Sequence, residues 1–298
     1  MSSSVLPRRL EFSAVLELLK PVTWFAAVWA FVCGAVSAGV PFDGRWGEVA
    51  LGTLLCGPLV CATSQAINDW HDRHVDAINE PGRPIPSGRI PGEWGLYIAM
   101  IWAALSLLVA ARFGAWGLYA TAAGLFFAWA YSAPPLRLKR NGWWGNAAVA
   151  VCYEGLPWIT GAAIMAGGAP DWRILVMAGL YSFGAHGIMT LNDFKSIEGD
   201  RRMGLGSLPA RLGAERAAFV ACAMMAAPQT VVIALLLAWG QEWAAALILA
   251  SLIAQLVCMR RMLRDPKALA PWYNATGVSL YVLGMLATAF ALRPLVLP

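Results

Sequence analysis

The feature that most constrains this chain is a recurrence: apolar runs near the ~20 residues that cross a ~30 Å hydrocarbon core follow one another through most of its 298 residues. Nine such runs can be drawn, at 22–40, 48–67, 94–111, 115–132, 146–166, 172–191, 216–238, 242–259 and 272–292. With 59% apolar residues, 13% charged residues and a mean hydropathy of +0.60, the bilayer is the solvent to reason in. Lipid offers no partner to a free N–H or C=O, so runs of this length fold as helices. The chain therefore reads as an all-α, polytopic membrane protein, and since no loop is long enough to house a second core, 1–298 reads as a single domain.

The basic residues test that count, because a wrong number of crossings would scatter them over both sides of the membrane. With the N-terminus cytoplasmic, all 22 Lys and Arg residues except Arg45, Arg112, Arg173 and Arg293 fall on the cytoplasmic side. The net charge of +5 thus belongs to a polarised membrane protein, whereas a nucleic-acid binder would carry its basic stripe on a soluble module. The N-terminal run, with Arg8 and Arg9, lacks the short apolar core and small-residue cleavage site of a signal peptide, so a retained N-terminus is expected. Cys33, Cys56, Cys61, Cys152, Cys222 and Cys258 lie in apolar runs without C-x-x-C spacing, which argues for packing rather than disulfides or zinc.

Two loops carry chemistry. The second run continues into Asn68-Asp69-Trp70-His71-Asp72-Arg73-His74-Val75-Asp76, and the sixth into Asn192-Asp193-Phe194-Lys195-Ser196-Ile197-Glu198-Gly199-Asp200. They form a repeat offset by 124 residues, in which Ser196 stands where Asp72 would be. On a continuing helix, steps of three and seven fall within about 60° of one another, so each cluster presents one acidic face. Both runs are even-numbered and deliver their acids to the same side. Two carboxylates ~5 Å apart repel by roughly 3 kcal/mol at an effective dielectric near 20, so gathering several calls for protonation or a cation. Asn68, Asp69, Asp72, Asp76, Asp193 and Asp200 are the candidate ligands, and an all-oxygen set suits Mg²⁺, which binds few carboxylates and leaves positions for phosphate oxygens.

Cations stand beside these acids: Arg73, Arg83, Arg89, Lys139, Lys195 and Arg201 are candidate diphosphate ligands, with Arg137, Arg140 and Arg202 nearby. A diphosphate uses both sets, with a metal bridging to aspartate and Arg or Lys neutralising the remainder. Basic cytoplasmic loops also arise for topological reasons alone.

The first motif resembles the N-x-x-x-D-x-x-x-D signature of the UbiA-type intramembrane prenyltransferases, with Asn68, Asp72 and Asp76 in its positions. Nine helices, two acidic motifs and cytoplasmic active-site loops agree with that superfamily over nearly the whole chain. Its second motif is commonly D-x-x-x-D, and here Ser196 takes the first position. The longer strings NDWHDRHVDAINEPGRPIPSGRIP, YSAPPLRLKRNGWWGN and NDFKSIEGDRRMGLGSLPARLG are most similar to the chlorophyll and bacteriochlorophyll synthase branch. The resemblance implies transfer of a geranylgeranyl or phytyl group from its diphosphate to the propionate of a bacteriochlorophyllide. Mg²⁺ would be the cofactor, with Asp72, Asp76, Asp193, Asp200, Arg73 and Lys195 as the catalytic set. It also implies a cell or intracytoplasmic photosynthetic membrane, and other pigment-biosynthesis or photosystem-assembly proteins as partners.

Tyr131, Tyr153, Glu154 and His186 are candidates for the acceptor or tail pocket. Glu154 and His186 fall inside crossing segments, where charge is costly and asks for a reason, though each is also accounted for by pairing between helices. Three other functions remain open at this point. A quinone-precursor acceptor would need a base to remove a ring proton, and Glu154, His71 and His74 are the residues that offer one. A secondary transporter would place its acids at interrupted helices near the midplane, and a pigment scaffold would favour several mid-membrane histidines.

Overall fold

A computed structural model describes residues 10–296; the N-terminal run with Arg8 and Arg9 lies outside them. The elements are α1 (Phe12–Leu19), α2 (Trp24–Ser37), α3 (Trp46–Leu54), α4 (Ala62–Asn79), α5 (Trp94–Ala110), α6 (Gly114–Ser132), α7 (Gly142–Ala150), α8 (Leu156–Ala166), α9 (Trp172–Asn192), α10 (Ile197–Arg202), α11 (Leu208–Leu212), α12 (Ala214–Ala238), α13 (Glu242–Met262) and α14 (Pro266–Leu292). No strand occurs among the described residues, only an isolated bridge between Asn141 and Gly206.

Among the described residues, eight continuous helical runs are long and apolar enough to cross a membrane. The difference from nine lies in Trp94–Ser132, whose 39 residues form one such run. At 1.5 Å per residue it would reach about 58 Å, roughly twice a hydrocarbon core. It is interrupted at 111–113 by a tighter turn and at Gly114 by a φ of 70°, and both α5 and α6 pack against α4. The run is thus a hairpin of two segments.

Two crossings contain wide π turns. Leu55–Cys61 joins α3 to α4 and holds Pro58; Val151–Gly155 joins α7 to α8 and is followed by Pro157. Proline lacks the N–H for the i−4 carbonyl and its ring crowds that oxygen, so the helix widens where a proline enters.

Packing without water relies on close approach of small residues. A Cβ on Gly34 in α2 would sit 1.9 Å from the Trp158 carbonyl oxygen in α8, and one on Gly161 would sit 2.1 Å from that of Phe31. Buried polar groups are tied across helices: Tyr181 and Thr288 share a 2.7 Å hydroxyl contact, the Tyr281 hydroxyl donates to the Tyr181 carbonyl at 2.8 Å, and Gln229 and Gln255 exchange amide bonds at 3.1 and 2.9 Å. These ties fix the bundle whose one end carries both acidic motifs.

Candidate active site

The Trp46–Asn79 run is 34 residues long, about 50 Å of helix, so its last turns extend past a ~30 Å hydrocarbon layer. Those turns carry the first motif on α4. The second follows α9, through a short 193–195 turn into α10. Both meet at one cavity of about 580 Å³, lined among others by Asn68, Asp72, Asp76, Asp193, Ser196 and Asp200. The two acidic clusters share one space, but not as two continuing helix faces: the second motif breaks at 193–195 before α10 begins at Ile197, and Asp69 is absent from the cavity wall.

Each acid there has a partner. Lys139 Nζ lies 2.5 Å from both Asp72 oxygens, and Arg137 stands 3.5 Å from one of them. Asn68 donates to Asp72 at 3.2 Å and to Ser132 at 3.3 Å. Arg83 reaches Asp76 at 2.9 Å and also engages Glu80. Across the cavity, Asn146 donates to Asp193 at 3.3 Å, while Ser196 and Ser207 donate to Asp200 at 3.0 and 2.5 Å. The Lys139 side chain is only 7% exposed. Burial pushes its ammonium below the ordinary lysine range, and the neighbouring Asp72 carboxylate works against that.

Other candidates lie away from the cavity wall. Asp69 is 1% exposed and binds Lys20 at 2.7 Å and Arg83 at 3.4 Å. The Arg73 guanidinium lies 3.9 Å over the Trp70 ring and donates to the Trp70 carbonyl. Arg89 is held by Glu17 at 2.7 and 3.0 Å, and Arg201 by the Ala210 carbonyl and Glu198. Lys139 and Arg83 line the cavity, as do Arg137 and Arg140.

Asn68, Tyr131, Asn146, Asp193 and Ser196 also line a second space of about 370 Å³. This chamber, whose wall includes Lys195 and Asn192, continues along the helices to Leu55, Ala120 and Thr160. From Asn68 to Leu55 is about 20 Å at the helical rise. Apolar side chains and the two π turns make most of its wall, including Cys56, Cys61, Cys152 and Tyr153. The Tyr153 hydroxyl accepts from Gln65 at 2.8 Å.

Glu154 sits beside the chamber but faces the core, 5% exposed, with Oε2 lacking a partner among the described residues. His186 lines a separate apolar groove with Trp143, Trp144 and Phe183, and its Nε2 is 3.1 Å from the Trp143 carbonyl. His71 packs edge-on against Trp129. Sequence reasoning missed Asn146, Ser132 and Ser207. All three lie in the longer strings that carry the resemblance, and Asn146 had a further signal, a polar residue inside an apolar run.

A polar cavity rich in paired acids and bases, opening into an apolar chamber within a membrane bundle, suits an intramembrane enzyme whose substrate has an anionic head and a long apolar tail. The chain belongs to the UbiA prenyltransferase family, whose model matches residues 18–293. A protein of Cereibacter sphaeroides described as bacteriochlorophyll synthase 33 kDa chain is 59% identical, covering 97% of this chain and 96% of the relative. Chloroplastic chlorophyll synthase of Oryza sativa subsp. japonica is 40% identical, covering 93% of this chain and 76% of the relative. A solved UbiA homolog from Archaeoglobus fulgidus, bound to GPP and Mg²⁺, shares the fold with a TM-score of 0.72 at 21% identity, covering 94% of this chain and 99% of that one.

Proposed function

We propose that this protein transfers a geranylgeranyl or phytyl group from its diphosphate to the propionate of a bacteriochlorophyllide, giving the prenyl ester and diphosphate. The observation that carries the reading is the 59% identity to a bacteriochlorophyll synthase over nearly the full length of both chains. The geometry supports it. The diphosphate occupies the polar cavity among Lys139, Arg137 and Arg83, and the tail enters the apolar chamber past Tyr131, with Tyr153 further along its wall. Lys195, on the chamber wall near Asp193, is a further cation for the leaving group.

The donors fit a hard divalent cation. Among the described residues no three His, Cys, Asp or Glu side chains gather into a finished cation site, yet Asp193 and Asp200 each keep one carboxylate oxygen free of hydrogen bonds on the same wall. That arrangement suits Mg²⁺, which takes one or two carboxylates and completes its shell with phosphate oxygens and water. Asp72, Asp76, Asp193, Asp200 and Asn68 would hold it, and when bound it supplies neutralisation of charge on the leaving diphosphate. The protein's own cations do the same from fixed positions. The apolar chamber shields the developing allylic cation from water.

A propionate is ionised at neutral pH and attacks without a protein base. The bases that a ring-carbon acceptor would call for, Glu154, His71 and His74, all lie off the cavity wall, and Glu80 on its rim is engaged by Arg83. The acidic end faces the cytoplasm in a photosynthetic membrane. Purified protein given Mg²⁺, geranylgeranyl diphosphate and a panel of bacteriochlorophyllide, chlorophyllide and a 4-hydroxybenzoate-type ring tests this: an ester on the macrocycle is the expected product by mass. Dominant carbon-linked prenylation of the phenolic ring would overturn it.

A further inference from the structure

The second acidic motif has a serine where an acid is commonly found, and the local geometry gives that serine a task. Asp200 is 7% exposed, and its Oδ2 accepts from both Ser196 Oγ and Ser207 Oγ. Its Oδ1 takes no hydrogen bond among the described residues, and all three side chains line the cavity. A hydroxyl has one proton to give. Ser196 divides its own between Asp200 and the Asp193 carbonyl at 3.1 Å, whereas Ser207 has Asp200 as its one acceptor among the described residues. A 2.5 Å bond to a carboxylate is of the strong, charge-assisted kind. With one oxygen held by two donors, rotation of the carboxylate about its Cβ–Cγ bond would break both bonds.

Ser207 is itself held in place. Gly142 N–H donates to the Gly206 carbonyl at 2.8 Å, and Gly206 N–H to the Arg140 carbonyl at 3.1 Å. Glycine is required on both sides: a Cβ on Gly142 would sit 2.6 Å from the Leu208 nitrogen, and one on Gly206 would sit 2.9 Å from the Arg140 oxygen. The bridged segment 140–142 directly follows Lys139, which binds Asp72 on the opposite wall. Ser207 thus reaches Asp200 from a strand of backbone anchored to the first acidic cluster.

We propose that Ser207, assisted by Ser196, is a positioning residue: it pins Oδ2 of Asp200 so that Oδ1 alone is presented to Mg²⁺ and the diphosphate. The second motif then contributes one oriented carboxylate oxygen from Asp200 beside Asp193, and Ser196 serves as a donor in the place of a third acid. This rests on the metal–diphosphate reading above, and the test separates the two. Groups that orient a metal ligand change metal affinity about 10–100-fold when removed.

The probe is inorganic pyrophosphate, with its binding to the purified chain followed by calorimetry while Mg²⁺ is titrated, so that neither prenyl donor nor macrocycle is needed. Ser207→Ala raises the Mg²⁺ concentration for half-maximal binding about tenfold; Ser207→Thr, which keeps the hydroxyl, stays within about twofold of the parent. Ser196→Ala gives a smaller rise, because Ser196 shares its proton. Ser207 makes no side-chain cap to α11, so its loss leaves that helix end as it was, and Ser196→Ala with Ser207→Thr keeps the test intact should Ser207→Ala fold poorly. Asp200→Asn is the control. A Ser207→Ala midpoint within twofold of the parent, beside an Asp200→Asn that abolishes Mg²⁺-dependent binding, overturns the positioning role alone. Asp200→Asn with unchanged binding overturns it together with the metal reading.

Discussion

Asp72 holds the Lys139 ammonium with both oxygens, and Asp76 holds Arg83; in the proposed function each acid on this wall orients a cation that would turn to phosphate when a diphosphate binds. Replacing either acid by its amide removes both the charge for a metal and the anchor for the cation. Asp72→Asn and Asp76→Asn are each expected to lower turnover about a hundredfold or more, with insertion and thermal unfolding unchanged; activity within twofold of the parent would remove these residues from the site. Among the arginines the structure makes a sharper forecast. Arg83 lines the cavity, whereas Arg89 is engaged by Glu17 on α1. Arg83→Ala should weaken Mg²⁺-dependent pyrophosphate binding at least tenfold more than Arg89→Ala, and equal losses would mean that the loop acts as one electrostatic patch. This distinction was not legible in the sequence. Residues 69, 72 and 76 share a helix face by periodicity, but the partners of Asp69 and Arg89, Lys20 and Glu17, come from a distant segment with no local pattern to announce them.

The elements themselves were readable where the rule behind them is local. Length and hydropathy located the crossings, and the repeat placed both acidic motifs at helix ends on one side. The hairpin at Gly114 was drawn as two segments, 94–111 and 115–132, with Arg112 and Gly114 between them. The π turns were not foreseen, since Pro58 and Pro157 within apolar stretches fit an ordinary kink equally well, and only the surrounding packing decides which form the helix takes. Close helix contacts were likewise hidden, because 29 glycines give no sign of which ones touch a backbone. Gly34 does: its hydrogen faces the Trp158 carbonyl. Gly34→Leu must drive α2 and α8 apart, which should cost about 1–3 kcal/mol or more as overpacking does. Thermal unfolding in detergent should show a lower Tm, and an unchanged Tm would show that the two helices separate without loss.

At the scale of the whole molecule, function depends on which side of the membrane the polar cavity faces, because a diphosphate made in the cytoplasm does not cross lipid. The structure brings the ends of α4, α6 and α9 and the start of α7 to one cavity, so whatever fixes the side for one fixes it for all. Sequence charge supplies the direction. Arg45 and Arg173 flank the opposite ends of the bundle, while Arg260, Arg261, Arg264 and Lys267 lie at the turn between α13 and α14, on the same face as the motifs. The positive-inside rule predicts that this face is the cytoplasmic one. The six native cysteines are buried or half-buried, which leaves a low background for labelling with a membrane-impermeant maleimide. Arg264→Cys, exposed between α13 and α14, should react only once the cytoplasmic face is opened to the reagent. Ala169→Cys, exposed between α8 and α9, should react from the other side in intact cells. Loss of one arginine from a cluster of four leaves the bias in place, since orientation follows the summed charge of short loops. Labelling of Arg264→Cys in intact cells, with protection of Ala169→Cys, would invert the protein and put its diphosphate site on the side away from the substrate pool.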